Sequence, residues 1–430
     1  MKITIVGGGS YQWSPTLIGD ILTTPSLADV HVVLEDVDPA PLPKMQAYFE
    51  MAAAKLGIGA TVETSTDQRA ALDGADFVVV TISTGGFRSM ALDLSIPEKH
   101  GIRQPVGDTV GPGGINRALR NIPVLLGIAR DMEQACPDAW LLNITNPMTC
   151  LTRSVARETS IEVVGLCHEV WHFQLMIALT LGLPMDQIEM VIGGVNHLPI
   201  VTELTIAGEP GFPKLLELSE EGGAFAKEHA LKLGMLERFG AVPGAGDRHV
   251  AEFFPGFLTA ESSWGSDWGV HLTTIAERER DQANFVENVD LLLAEKRELP
   301  LWQSGEMVAP VIDSLTTDTR RELPLNLPNR GQLANEPLDP VVETMCVVDG
   351  DGMRGREDVV LPPPYDAWIH RHIEAQERTV EAAVTGDRSV ALEAFTLDAL
   401  AGRGDLRVTE AMVDDLLAAT AEWLPQFTLR

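Results

Sequence analysis

Two short segments of this 430-residue chain gather side chains that bind metals or move protons. One is Cys167-His168-Glu169-Val170-Trp171-His172; the other is Gly193-Gly194-Val195-Asn196-His197-Leu198. Each follows a run that reads as a buried strand, Val163–Leu166 and Met190–Ile192. A thiolate and an imidazole at the ends of neighbouring strands of an open parallel sheet could converge on one divalent cation, although a lone Cys or His is more often plain packing. His168 to His172 also spells H-E-x-x-H, the zinc metalloprotease signature, but that chemistry needs all five residues in one helix and His168 directly follows a strand. Two glycine loops carry carboxylates. Asp108 sits in Gly107-Asp108-Thr109-Val110-Gly111-Pro112-Gly113-Gly114, and Asp247 in Gly244-Ala245-Gly246-Asp247-Arg248-His249. An acid, a base and a permanent cation on such a loop suit proton transfer and the grip of an anionic or hydroxyl-rich ligand; a surface turn is the plainer reading. Asn146, after the strand Trp140–Ile144, could hold sugar hydroxyls or simply cap the next helix.

The first strand, Ile3–Val6, leads into Gly7-Gly8-Gly9-Ser10-Tyr11-Gln12 and then a helix from near Pro15. Such a turn lets backbone approach a pyrophosphate at a helix N-terminus, where free amides favour an anion. Gln12 stands where the third glycine of G-x-G-x-x-G belongs, so the match is partial. The second strand ends in Leu34-Glu35-Asp36, and an acid there meets a ribose diol, favouring NAD over NADP. Asp36 is the first candidate and Glu35 the second.

These residues need a scaffold, and the pattern supplies one. Val30–Leu34 and Phe77–Thr81 join Ile3–Val6, Trp140–Ile144 and Val163–Leu166 as strands buried on both faces, with Pro41–Leu56 and Ile115–Met132 as crossover helices. Residues 1–192 therefore read as a doubly wound, Rossmann-like α/β domain. Residues 193–430 read as a mainly helical α+β domain for substrate binding and oligomerisation, with Trp268–Leu299 its longest helix. The pairing is that of a lactate or malate dehydrogenase-like chain. No flexible linker divides the halves, so a broad interface and a cleft are expected. With 32 Lys+Arg against 62 Asp+Glu the net charge is −30. That acidity excludes nucleic acid and anionic lipid surfaces as partners. No apolar run reaches the roughly 18 residues of a membrane span, and four cysteines are too few for a disulfide scaffold, so a cytoplasmic protein is expected.

Taken in order, GGGS, ISTGGFR at Ile82–Arg88, GDTVGPGGI, NPMT, CHEV, GGVNHL, GDRHVAEF at Gly246–Phe253 and NRGQLANEPLDPVVE at Asn329–Glu343 resemble the family 4 glycoside hydrolases, the NAD- and divalent-metal-dependent glycosidases. The resemblance implies Cys167 and His197 as Mn2+ ligands and Gly7, Gly8, Gly9, Ser10 and Asp36 as the NAD site. It implies Asp108 as the acid at the leaving group and Asn146, His168 and Asn196 along the sugar. It also implies a cycle of oxidation at C3, proton loss at C2, elimination, water addition and re-reduction. Relatives acting on phospho-β-glycosides use a tyrosine as base. This chain has only Tyr11, Tyr48 and Tyr365, so Asp247 is the expected substitute. The CHE segment resembles the branch acting on unphosphorylated α-glucosides, α-galactosides or hexuronides; Arg88 or Arg248 would meet a carboxylate. Homodimers or homotetramers are implied as well. A 2-hydroxyacid dehydrogenase is the main alternative, ahead of a zinc metalloprotease or a non-catalytic NAD-binding protein.

Overall fold

A computed structural model describes residues 1–427. Six short β-branched runs form the strands β1 (Lys2–Val6), β2 (His31–Glu35), β3 (Thr61–Ser65), β4 (Phe77–Val80), β5 (Trp140–Asn143) and β6 (Val163–Leu166). They pair in parallel in the order 3-2-1-4-5-6, the doubly wound arrangement. Alternation along each strand feeds two cores. Val78 and Val80 pack with Ile115–Met132, whereas Phe77 and Val79 pack with Leu17, Ile21 and Met45 on the opposite face.

The chain then returns to this sheet. Strands β7 (Ile188–Val195), β8 (Leu198–Ile206), β9 (Glu209–Pro210), β10 (Val242–Pro243), β11 (Arg321–Pro328), β12 (Val341–Asp349) and β13 (Gly352–Gly355) all join it by antiparallel pairing. The main path runs β10-β8-β7-β12-β11-β6-β5-β4-β1-β2-β3. Strands β6 and β7 are therefore not neighbours, as the sequence suggests. β11 and β12, contributed from far along the chain, lie between them.

Helix Gly111–Ala135 crosses the first core, extending the expected Ile115–Met132 at both ends. The Arg120 guanidinium, fully buried, bonds the equally buried carboxylate of Asp93 on helix Gly86–Lys99, with Nη1 2.9 Å from Oδ1. The expected long helix Trp268–Leu299 is shorter: Ile275–Leu293. Gly265 and Gly269 (φ 94° and 73°) break the chain ahead of it, and a capping box of Thr274 and Glu277 starts the helix. Helices Tyr365–Thr385, Arg388–Leu397 and Leu406–Ala419 close the first core, with Gly386 in the left-handed region after the first of them.

Candidate active site

The turn after β1 is shaped by backbone contact. Gly7 and Gly8 donate to the Glu35 carbonyl at 2.9 and 2.7 Å, and helix Trp13–Leu22 begins directly beyond Gln12. Gly7 lies at φ 88°, and a Cβ there would meet the Thr81 carbonyl oxygen at 2.0 Å. Only glycine fits. Asp36 reaches back over the turn, its Oδ2 accepting from Gly9 at 3.0 Å. Glu35 is buried beneath; burial, then the neighbouring Asp36, pushes its carboxyl up to about 7. The charged acid at this strand end is Asp36.

A second group of residues meets at the opposite side of a cavity of about 600 Å³ whose wall also includes Gln12 of the glycine turn. Asp108, His197 and His249 each offer a ligand atom, all within 4.8 Å of one another. His197 occupies the two-residue turn between β7 and β8 at φ 65°. A non-glycine residue there costs about 1–3 kcal/mol, a strain tolerated where the side chain is needed. Thr109 fixes its orientation. The hydroxyl donates to Asp108 Oδ1 at 2.8 Å and stands 2.8 Å from His197 Nδ1. With that proton given to Asp108, Nδ1 donates in turn, and Nε2 keeps its lone pair. Burial, then the adjacent His249, holds His197 down at about 3, so the ring is neutral. Burial opposes charge on Asp108, but His249, His197 and Arg117 together bring its carboxyl below the ordinary range.

Neighbouring groups hold this cluster in place. Glu252 is fully buried and accepts from the Val106 and Gly107 N–H groups, both at 2.8 Å, on the approach to Asp108. Burial raises its carboxyl to about 8. Glu169 accepts from Gly246 at 2.6 Å; burial opposes its charge, but His249, His197 and His168 hold it down at about 2. Asp247 opens the short helix Asp247–Val250 and lines the same cavity. Its Oδ2 accepts from Leu231 at 2.8 Å, and burial, opposed by Lys232, raises it to about 6.

Models of the family 4 glycosyl hydrolases match residues 2–183 and those of the family's C-terminal domain match residues 192–401. The chain is a family 4 glycosyl hydrolase. It is 32% identical to an alpha-galactosidase of Bacillus subtilis, with 99% of each chain covered. It is 31% identical to an alpha-galacturonidase of the same bacterium, with 97% of each covered. Its fold matches that of the 6-phospho-beta glucosidase of Thermotoga maritima, solved with manganese, NAD+ and glucose-6-phosphate, at a TM-score of 0.84, 20% identity and coverage of 98% and 99%.

In this glycosyl hydrolase the expected residues part company. Asp108, Asp247 and Arg248 line the cavity, and His197 meets Asp108 beside it. His249, which the sequence offered only as a base in the glycine loop, completes the three-group cluster. Cys167 is not one of the three clustered groups; its buried sulfur is hydrogen-bonded by Asn196, the neighbour of His197, and faces Glu343. Burial, then Glu343 and Glu169, holds the thiol well above its ordinary value. Asn196 also donates to Glu343 at 3.3 Å, while its Oδ1 is buried without a partner. His168 occupies the N-cap position of helix Glu169–Leu181 without a side-chain capping bond, and its Nδ1 lies 2.8 Å from Glu306. Asn146 takes the plainer role: its Oδ1 caps Met148 at 3.2 Å. Arg88 pairs with Glu422 and stacks 4.9 Å from the Trp423 ring, away from the cavity wall.

Proposed function

We propose that the chain hydrolyses an unphosphorylated α-hexoside, a glucoside, galactoside or uronide, with NAD and a divalent cation such as Mn2+. One observation carries this reading: a single cavity is walled both by Gln12, next to the glycine turn, and by Asp108 and His249, against which His197 is grouped. The residues fit both groups. The Gly7–Ser10 turn admits no Cβ at Gly7 and carries Asp36 at its rim for a ribose diol. The oxygen and two imidazoles form a donor set suited to Mn2+, and the unpartnered, buried Nδ1 of His249 is an orphan that a bound group would orient. Cys167 is the further candidate ligand, joining once it sheds its proton. When bound, NAD supplies a hydride acceptor that is restored within the cycle, and the cation polarises the sugar oxygens.

The protein side of the chemistry follows from position. Asp247 is the base that takes a sugar C–H proton, since its pKa of about 6 leaves it ionised yet basic near neutrality. Asp108, held anionic beside two imidazoles, is a charged anchor in the cluster and would act as the acid at the leaving group only after taking up a proton. Glu169 and Glu252 set the two loops. Buried, unbridged cysteines fit the expected cytoplasmic setting, and assembly as a homodimer or homotetramer belongs to the same reading.

Incubation of 4-nitrophenyl α-hexosides with the protein, NAD+ and Mn2+ under reducing conditions tests it. Nitrophenol released without net NADH, and product carrying deuterium at C2 in D2O, is the expected result. Stoichiometric NADH from a 2-hydroxyacid instead overturns it in favour of a dehydrogenase.

A further inference from the structure

Lys232 is a cation in an unusual position. It lies on helix Ala230–Phe239 with 1% of its surface exposed, yet it lines the cavity. Its ammonium sits 4.3 Å from the centre of the Phe173 ring; Asp247, Glu169 and Glu228 act on it through space, with no direct ion pair among the described residues. The acids nearby have other donors. Asp247 is engaged by the Leu231 and Lys232 N–H groups, and Glu169 by Gly246. Glu228 is exposed at the rim of the same cavity. Beside Lys232 stands His229, 3% exposed, edge-on to Phe173 and Phe225, with neither ring nitrogen partnered. Burial, then Lys232, keeps that imidazole neutral, so one nitrogen is an N–H donor at any ordinary pH.

A buried ammonium without an acceptor is costly, and so is a buried N–H. Here the protein supplies no acceptor to either, and both face a cavity. A sugar hydroxyl would answer one donor with a neutral oxygen. A carboxylate answers both, one oxygen to each, with charge-assisted hydrogen bonds that a neutral oxygen cannot match. We propose that Lys232 and His229 form a carboxylate-binding subsite, which makes the substrate an α-linked hexuronide. This rests on the glycosidase reading and narrows it. Arg88, tied to Glu422, has no part in it.

The test compares 4-nitrophenyl α-galacturonide and α-glucuronide with the corresponding neutral hexosides, in the presence of NAD+ and Mn2+. The wild-type protein is expected to prefer a uronide by roughly a hundredfold in kcat/KM, since a site built for a polar group rejects its absence strongly. In Lys232→Met the uronide-to-hexoside ratio collapses towards unity, and Lys232→Arg restores part of it. Should Lys232→Met fail to fold, calorimetry on the wild-type protein decides: D-galacturonate is expected to bind roughly a hundredfold more tightly than D-galactose or the neutral galacturonamide. Equal binding of the three, or an unchanged ratio in Lys232→Met, overturns the subsite. Hydrolysis of neutral hexosides without uronide preference refutes the subsite and leaves the glycosidase reading standing. Tight galacturonate binding without turnover of any hexoside does the reverse.

Discussion

The imidazoles of His197 and His249 lie 3.9 Å apart, centroid to centroid, with their planes tilted by 34°. One comes from a strained hairpin turn and the other from a four-residue helix, so their meeting is made by tertiary structure alone. Two rings this close cannot both carry a proton at modest cost, and burial adds to the penalty. They present two imidazoles beside an anionic Asp108.

Replacing His249 by Ala is therefore expected to weaken Mn2+ affinity roughly 10- to 100-fold while NAD+ affinity stays within a few fold. Titration of the chelated protein with Mn2+, followed by the metal's electron paramagnetic resonance signal, measures the first; fluorescence titration with NAD+ measures the second. Unchanged metal affinity removes His249 from the set.

Cys167→Ser separates the two possible ligand arrangements. If the thiolate joins the cation, the variant loses metal affinity and metal-dependent turnover but keeps NAD+ binding. Retention of full Mn2+ affinity would show that Asp108, His197 and His249 suffice.

Glu252 links the loop of Asp108 to the helix of His249 through two backbone hydrogen bonds. Glu252→Ala leaves both N–H groups buried without an acceptor, and the expected loss is about 2–4 kcal/mol of stability together with a fall in kcat. With a pKa of about 8, Glu252 is already protonated at pH 7. Glu252→Gln, a neutral isostere with the same accepting oxygen, is thus expected to keep near wild-type stability and kcat at that pH. Thermal denaturation and steady-state kinetics on the two variants check this contrast.

Glu35 gives a pH signature. Its carboxyl titrates at 4.5 in an unperturbed chain and at about 7 here. As pH rises from about 4.5 through 7 the unfolded chain releases the proton while the folded chain retains it, so stability falls across that window. The total is about 3 kcal/mol, from a shift of roughly two and a half pKa units. In Glu35→Gln this dependence disappears, and urea denaturation at several pH values reads the difference between the two proteins.

The nucleotide half was legible because its signals are local. Strand β1, the Gly7–Gly9 turn and Asp36 lie within one βαβ unit, and the unbroken apolar runs of β1, β2 and β4 announce a parallel sheet covered on both faces. The cluster was only partly legible. Asp108, His197 and Asp247 stand on loops whose glycines draw attention, whereas His249 becomes a cluster member only because Glu169 and Asp247 fix the Gly246–Val250 turn against β8 and helix Ala230–Phe239. Sheet order was the least accessible feature. Pro324 and Pro328 disguise β11, and nothing near β6 or β7 reveals that two distant strands insert between them. Lys232 and His229 went unnoticed because a lysine and a histidine on an amphipathic helix look like its solvated face until the cavity beneath is seen.

The insertion of β11 against β6 also constrains motion. Both halves belong to one hydrogen-bonded lamina, so a hinge between them would have to tear ladder bonds apart. The stretch 255–274 reaches the cavity through Gly269 and Thr273 and is anchored there by the Arg248–Thr273 contact, so on that side the cavity is bordered by a loop and not by a seam between separable lobes.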